Sequence, residues 1–198
     1  MDKKSLTTSS FHIKLALIIL IILLFFVVSV QVAHAAEWQS GNYRWANGTR
    51  LMMYRGYISG EYFNWAATSV SNWNSALKQG SSNVQFVIAA SPYASKGVIY
   101  YEGNYGKNGW VGLATGISLK AQGIYIVDGY FQIQLNTYAP YNPNITAKRC
   151  ATAHEMGHTL WLGDVNTVSS GNDRLMWWTT TSNTAPTLSD ICVLKTRY

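Results

Sequence analysis

The spacing of hydrophobic side chains along the chain predicts a strand, a helix, several further strands and two more helices. Apolar residues recur at helical spacing from Tyr62 to Leu77 within residues 59–77, and Gly80 is placed to end that helix. Runs of apolar or alternating apolar and polar residues predict strands at 49–55, 84–88, 97–101 and 131–136. Five glycines fall within residues 103–116, where we expect an irregular loop. This order of elements predicts an α+β domain.

The longest apolar run, residues 15–28, lies close to the N-terminus and follows three lysines. Ala33-His34-Ala35 then supplies the small-x-small pattern that signal peptidase recognises. The sequence therefore predicts a signal peptide over residues 1–35 and a secreted, extracellular domain over residues 36–198. The alternative is an uncleaved membrane anchor, because weakly apolar flanking residues bring the run close to the length that spans a bilayer.

Composition and charge exclude several classes of protein. Hydrophobic residues make up 48% of the chain and charged residues 12%, which is typical of a folded domain and excludes a disordered one. Residues 36–198 carry 12 Lys or Arg against 8 Asp or Glu, and the single adjacent basic pair is Lys148-Arg149. A net charge of +4 dispersed in this way predicts no nucleic-acid partner.

The residues with recognisable chemistry are concentrated in the stretch HEMGH at 154–158, within a helix expected to begin near Asn144. Residues four apart lie one above the other on a helix, so His154 and His158 can bind one metal ion from the same side. Glu155 lies next to the first of these ligands, where its carboxylate can take a proton from an attacking water. No other histidine occurs after residue 35. This pattern predicts a catalytic zinc site.

A catalytic zinc requires a third protein ligand, which here must be an oxygen or a thiolate because no histidine remains. Asp164 follows His158 by six residues and comes directly after Gly163, where the chain can turn back towards the metal. We therefore predict Asp164 as the third ligand. Asp173, Asp190 and Cys150 are the alternatives.

Cys150 and Cys192 are the only cysteines of the chain. In an oxidising compartment an even number of cysteines predicts a disulfide. The competing interpretation is that Cys150, one helical turn before His154, keeps its thiol near the metal as a ligand or an inhibitor.

The stretch HEMGHTLWLGD resembles the metzincin consensus HExxHxxGxxH/D, with His154, His158 and Asp164 at the ligand positions and Glu155 at the position of the base. Met176 falls where that clan has its Met-turn, which would give it a packing role beneath the zinc. FQIQLNTY is similar to the matrixin strand that precedes the active-site helix, and TAPTLSDICVLKTRY to the last matrixin helix.

The resemblance to bacterial matrixins extends over residues 36–198, with specific motifs only from Phe131 onward. It implies a twisted five-stranded sheet, an active-site helix, a C-terminal helix and a cleft above the zinc. Extended peptide or protein substrates would bind along an edge strand of this sheet. It also implies that the helices of Cys150 and Cys192 lie side by side, at a distance a disulfide could bridge.

The chain departs from the metzincin pattern at Trp161, which occupies the position of the glycine where the chain turns out of the helix. Glycine tolerates a positive φ there and Trp tolerates it badly, so Gly163 is an alternative position for the bend. Trp178 stands where some metzincins have a tyrosine, so we expect no tyrosine ligand.

Two functions compete at this point. The first is a secreted, monomeric zinc endopeptidase, favoured by the presence of Glu155. The second is a weak or inactive binding module on the same scaffold at the cell surface, with cell-wall glycan as ligand. It is favoured by Trp161 and, weakly, by the many aromatic residues. Calcium is compatible with the sequence but unsupported, because no Asp-rich loop of the known kind is present.

Overall fold

The computed structural model describes residues 43–90, 96–107, 110–138, 144–165, 174–177 and 182–198, all within the unit Trp38–Tyr198. The predicted signal peptide, residues 1–35, lies outside the described residues. Across the described ranges, no helix is both long enough and apolar enough to cross a membrane.

Six strands and three helices make up the described part of the chain, which confirms the predicted α+β class. The strands are β1 (Arg44–Trp45), β2 (Arg50–Tyr57), β3 (Gln85–Ala89), β4 (Lys96–Gly103), β5 (Gly112–Gln122) and β6 (Tyr125–Asn136). The helices are α1 (Gly60–Gln79), α2 (Ile145–His158) and α3 (Leu188–Arg197). The sheet has one strand more than the five expected, because the two-residue β1 pairs with the start of β6.

The sheet is mostly parallel, in the order β1-β6-β4-β2-β3, and β5 pairs with the other edge of β6. Strands β2, β3, β4 and β6 pair in parallel, whereas β5 runs antiparallel to β6 from Gly112 opposite Leu135 to Gln122 opposite Tyr125. Among the described strands β5 has no second partner. It therefore presents backbone N–H and C=O groups that no neighbouring described strand pairs with, at the edge of the sheet.

Helix α1 forms where the hydrophobic periodicity predicted a helix, and the apolar positions of that pattern are buried. Tyr62, Ala66, Val70, Trp73 and Leu77 are all buried, and the backbone N–H of Gly80 bonds to the carbonyl of Ala76 where the helix ends. The strands expected at 49–55, 84–88, 97–101 and 131–136 are also present as β2, β3, β4 and the second half of β6.

The expected loop over residues 103–116 is wrong from Gly112 onward, where β5 begins. Gly112 and Gly116 serve close packing within the strand rather than a turn. A Cβ at Gly112 would come within 2.6 Å of Glu155 Cγ, and one at Gly116 within 2.4 Å of Leu119 Cδ1. Glycine inside a strand often marks such a close approach of a neighbouring group.

The core lies between the helices and one face of the sheet, where Val98, Tyr100 and Ile133 are fully buried. Two buried hydrogen bonds attach α2 to its neighbours. Trp73 of α1 donates its indole N–H to the carbonyl of Ala153 at 2.9 Å, and Tyr100 donates its hydroxyl to the carbonyl of Thr152 at 3.1 Å. Because these acceptors immediately precede His154, the helix that carries the HEMGH stretch is held in a defined position.

Candidate metal centre

The structure brings together the three side chains that the sequence suggested as zinc ligands. His154 and His158 project from α2, and Asp164 comes from the chain that turns back after it. Asp164 Oδ1 lies 3.0 Å from His154 Nε2 and 3.5 Å from His158 Nε2, and the three donor atoms all lie within 4.8 Å of one another. Ligand atoms bound tetrahedrally to zinc at about 2.0–2.2 Å are about 3.3 Å apart. The donor set and its spacing therefore fit a zinc ion.

Backbone carbonyls fix the orientation of both imidazole rings. His154 donates its Nδ1–H to the carbonyl of Leu175, and His158 donates its Nδ1–H to the carbonyl of Leu162, each at 2.8 Å. Both Nε2 atoms are thereby directed towards Asp164. A hydrogen bond of this kind to the second ring nitrogen selects the tautomer and strengthens an imidazole as a metal ligand. The two carbonyls are site residues that no signal in the sequence identified.

The charges around the three groups suit a cation. Burial by itself lowers the pKa of His154, but the hydrogen bond to Asp164 and the negative charge of Glu155 raise it to about 9. Burial raises the pKa of Asp164, yet the bond to His154 and the charges of both histidines lower it overall. In this state a proton is held between His154 Nε2 and Asp164, at the position where a metal ion would bind. The side chain of Asp164 is 52% exposed, which leaves the site open on that side.

The bend after α2 occurs at Trp161, whose φ is +64°, and not at Gly163, which takes no positive φ. The N–H of Leu162 bonds to the carbonyl of Gly157 at 3.3 Å and that of Trp161 to the carbonyl of His158 at 2.8 Å. These two bonds form a Schellman motif in which Trp161 takes the place usual for glycine.

A left-handed conformation costs a residue with a Cβ about 1–2 kcal/mol. The Trp161 ring packs against Tyr43 at 5.2 Å and Phe131 at 5.8 Å between ring centroids, which opposes this cost. The same bend presents the Leu162 carbonyl to His158 and returns Asp164 to the site. Trp161 therefore supports the metal-site geometry despite replacing the expected glycine.

Met176 is fully buried and packs against the backbone of α2 between the two histidines. A Cβ at Gly157 would lie 2.3 Å from Met176 Sδ and 2.7 Å from Trp73 Cζ2, so only glycine allows this approach. Its neighbour Trp178 lies outside the described residues. In this structure Met176 is a packing residue beneath the metal site.

Replacing Gly157 by alanine is expected to destabilise the metal-free protein by about 1–3 kcal/mol, because the added methyl overpacks the contact with Met176 and Trp73. Urea unfolding measures the change. Gly60→Ala, where a Cβ meets nothing within 4 Å, is the control and should stay within about 0.5 kcal/mol of the parent. Combining Gly157→Ala with Met176→Ala should give less than the sum of the two losses; strict additivity would show that the two residues do not press on each other.

Asp190, one of the alternative ligands, is not at the metal site. It is fully buried, and its Oδ2 accepts hydrogen bonds from the N–H and hydroxyl of Thr187 and, at 3.3 Å, from the N–H of Leu175. Asp190 thus caps α3 and holds the residue whose carbonyl orients His154. Asp173, the other carboxylate alternative, lies outside the described residues.

The disulfide expected between Cys150 and Cys192 is absent from the structure, which corrects that prediction. Cys150 is 1% exposed in the core, whereas Cys192 lies on the exposed side of α3. Helices α2 and α3 each pack against α1. Nor does the Cys150 sulfur join the group formed by His154, His158 and Asp164.

Glu155 lies beside the three ligands and beneath β5. Its Oε2 is 4.0 Å from His158 Nε2, and its carboxylate accepts a hydrogen bond from the backbone N–H of Ala114. Burial raises the pKa of Glu155, the effect that outweighs the positive charges of the histidines. Gly112 and Ala114 are further site residues that sequence reasoning missed, although the alternation of apolar and polar residues from Ile117 to Gln122 was a signal for their strand.

No protein-family model matches the chain, and no curated protein shows significant similarity to it.

Proposed function

We propose that the protein is a secreted zinc endopeptidase. The main support is that two imidazoles and one carboxylate lie together at a spacing suited to zinc ligands. A second carboxylate, which is not one of these three groups, lies beside them. Three protein ligands and an open fourth position are characteristic of catalytic zinc sites, whereas structural sites use four protein ligands. Glu155 is the second carboxylate, and it stands where a general base is needed.

His154, His158 and Asp164 would hold the metal, and the two backbone carbonyls would keep the imidazoles in place. Zinc bound there supplies a Lewis acid that polarises the scissile carbonyl and makes water more acidic. Glu155 accepts the proton of the attacking water on its carboxylate and delivers it to the nitrogen of the leaving amine. Burial favours the protonated form of this carboxyl, so Glu155 can hold the proton between these two steps.

The edge strand β5 supports an extended peptide as the substrate. Its backbone is bonded to β6 on one side only among the described strands, and Ala114 contacts the base directly. An extended peptide can add to such an edge as a further strand through main-chain hydrogen bonds. The register of β5 with β6 is regular from Gly112 to Ile117 and shifts beyond it. We therefore assign peptide binding to this regular part, next to Glu155.

Zinc content and peptide hydrolysis by the exported protein test this proposal. We expect about one zinc per chain, cleavage of unfolded protein and peptide libraries, loss of cleavage with 1,10-phenanthroline, and recovery on adding zinc. A protein that binds no zinc would contradict the metal site. A protein that binds zinc but cleaves none of these substrates would favour the alternative of a binding module.

Gly112→Ala is expected to lower kcat/KM by about tenfold to a hundredfold without changing zinc content. The new methyl would meet Glu155 Cγ and Oε1 at 2.6 and 2.7 Å, and displacing a catalytic group by about 1 Å has effects of this size. Gln122→Ala, an exposed position at the far end of the same strand and outside its regular part, is the matched control and should cleave at the parental rate. Parental activity in Gly112→Ala would mean that β5 does not position the base.

A further inference from the structure

One face of the sheet lies opposite the face on which the helices pack. Tyr100 and Ile133 are fully buried on the helix side, and their neighbours Tyr101 and Gln134 alternate to the other side. Residues directly opposite each other in paired strands share a face. Tyr57 is paired with Tyr101, Tyr101 with Gln134, and Gln134 with Leu113, so one row of side chains crosses β2, β4, β6 and β5.

Aromatic rings gather at one end of this row. The Tyr57 and Tyr101 rings are stacked, with centroids 5.6 Å apart and planes inclined by 26°, and Tyr57 is 79% exposed. Tyr105 continues the group, since a Cβ at Gly103 would lie 3.3 Å from its ring. The pKa of Tyr101 is raised by burial and by the nearby hydroxyls of Tyr130, Tyr57 and Tyr105, which agrees with hydroxyl groups close together. We call Tyr57, Tyr101, Tyr105 and Tyr130 the tyrosine platform.

The side chains beside the stacked pair Tyr57 and Tyr101 in these rows are uncharged. The next row along the sheet pairs Ile99 with Gln132 and Gln132 with Thr115, and neither row contains a charged residue. Glutamine amides both donate and accept hydrogen bonds, as sugar hydroxyl groups do. Aromatic faces offer the flat apolar surface that the C–H groups of a sugar ring require. A polyanion would need lysines or arginines, which these rows lack.

We propose that the tyrosine platform binds a neutral polysaccharide, with sugar rings against Tyr57 and Tyr101 and hydroxyl groups bonded to Gln132 and Gln134. The ligand would lie outside the metal site, on the opposite face of the sheet. The row that it would follow ends at Leu113 of β5, next to Ala114, whose N–H bonds to Glu155. This site does not depend on the proposed hydrolysis. Its effect would be to hold the protein on a glycan while the edge strand remains accessible.

Retention of the exported protein on microcrystalline cellulose and on chitin tests the proposal, with heparin-agarose as the anionic comparison. We expect retention on a neutral matrix that changes little with salt concentration. Tyr57→Ala and Tyr101→Ala should each weaken it by about fivefold to tenfold, as loss of an aromatic contact does. Tyr125→Ala, an exposed tyrosine at the other end of β6, is the matched control and should bind like the parent.

Absence of retention on both neutral matrices would overturn the proposal. It would also be overturned if the protein were retained only on heparin-agarose and were released from it by salt. Equal retention of the Tyr57→Ala and Tyr101→Ala variants would place any glycan site elsewhere. Tyr57 is largely exposed, so its replacement is not expected to unfold the protein. Cleavage of a short soluble peptide should be unchanged in Tyr57→Ala, which separates failure of the platform from failure of the peptidase proposal.

Discussion

Replacing Glu155 by alanine is expected to reduce peptide hydrolysis by about a hundredfold or more while zinc content stays at the parental level. Loss of a general base has an effect of this size. The zinc is expected to stay because the proposed ligands are His154, His158 and Asp164, and Glu155 is not one of them; its Oε2 lies 4.0 Å from His158 Nε2. Measurement of kcat/KM on a fluorogenic peptide, with metal analysis of the same sample, gives both quantities.

Glu155→Gln keeps the shape of the side chain and should lose hydrolysis to a similar extent, because an amide does not accept the proton. Glu61→Ala removes an exposed carboxylate of α1 and serves as the control, with parental activity expected. Cleavage by Glu155→Ala at the parental rate would refute the assignment of this residue as the base.

Replacing Asp164 by alanine is expected to weaken zinc binding by about a hundredfold or more. Even the loss of a residue that only orients a ligand weakens metal binding by about ten- to a hundredfold, and Asp164 is assigned as a ligand itself. Its side chain is half exposed, so the fold should tolerate the change. Competition with a fluorescent zinc chelator measures the affinity, and hydrolysis should fall in parallel.

Two further variants make the assignment of Asp164 specific. Asp164→His places a nitrogen ligand at the position where the metzincin consensus allows either His or Asp, and it should keep zinc. Asp128→Ala removes a partly exposed carboxylate paired with Lys120 and should leave zinc affinity unchanged. Unaltered zinc affinity in Asp164→Ala would show that the third ligand is another residue. Asp173 would then be the next residue to replace.

The grouping of His154, His158 and the carboxylate of Glu155 could be predicted because their relation is local. Three residues within one helix are placed by the helical repeat alone, so His154, Glu155 and His158 had to lie near one another once that helix formed. The same reasoning accounts for the buried stripe of α1 and for most strands. Asp164 was within reach because only six residues separate it from His158.

The surroundings of the metal site depend instead on contacts between distant parts of the chain. Gly112 and Ala114 meet Glu155 only because β5 pairs antiparallel with β6, and their glycine-rich segment had suggested a loop. The carbonyl of Leu175 accepts a hydrogen bond from His154, 21 residues away in the sequence. Because every residue has a backbone carbonyl, the sequence does not indicate which carbonyl binds a given side chain. The cysteines show the same limit, since their number suggested a bridge that the structure, with Cys150 buried and Cys192 exposed, does not contain.

Trp161 shows where residue preference and folded structure disagree. Propensity placed the bend at a glycine, because a positive φ is unfavourable for a large side chain. The folded chain puts the bend at Trp161, whose ring is packed against Tyr43 and Phe131, residues 118 and 30 positions away along the chain. Local spacing was thus sufficient to identify the helix that carries the candidate metal ligands, whereas the path of the chain beyond it was decided by tertiary packing strong enough to oppose a local backbone preference.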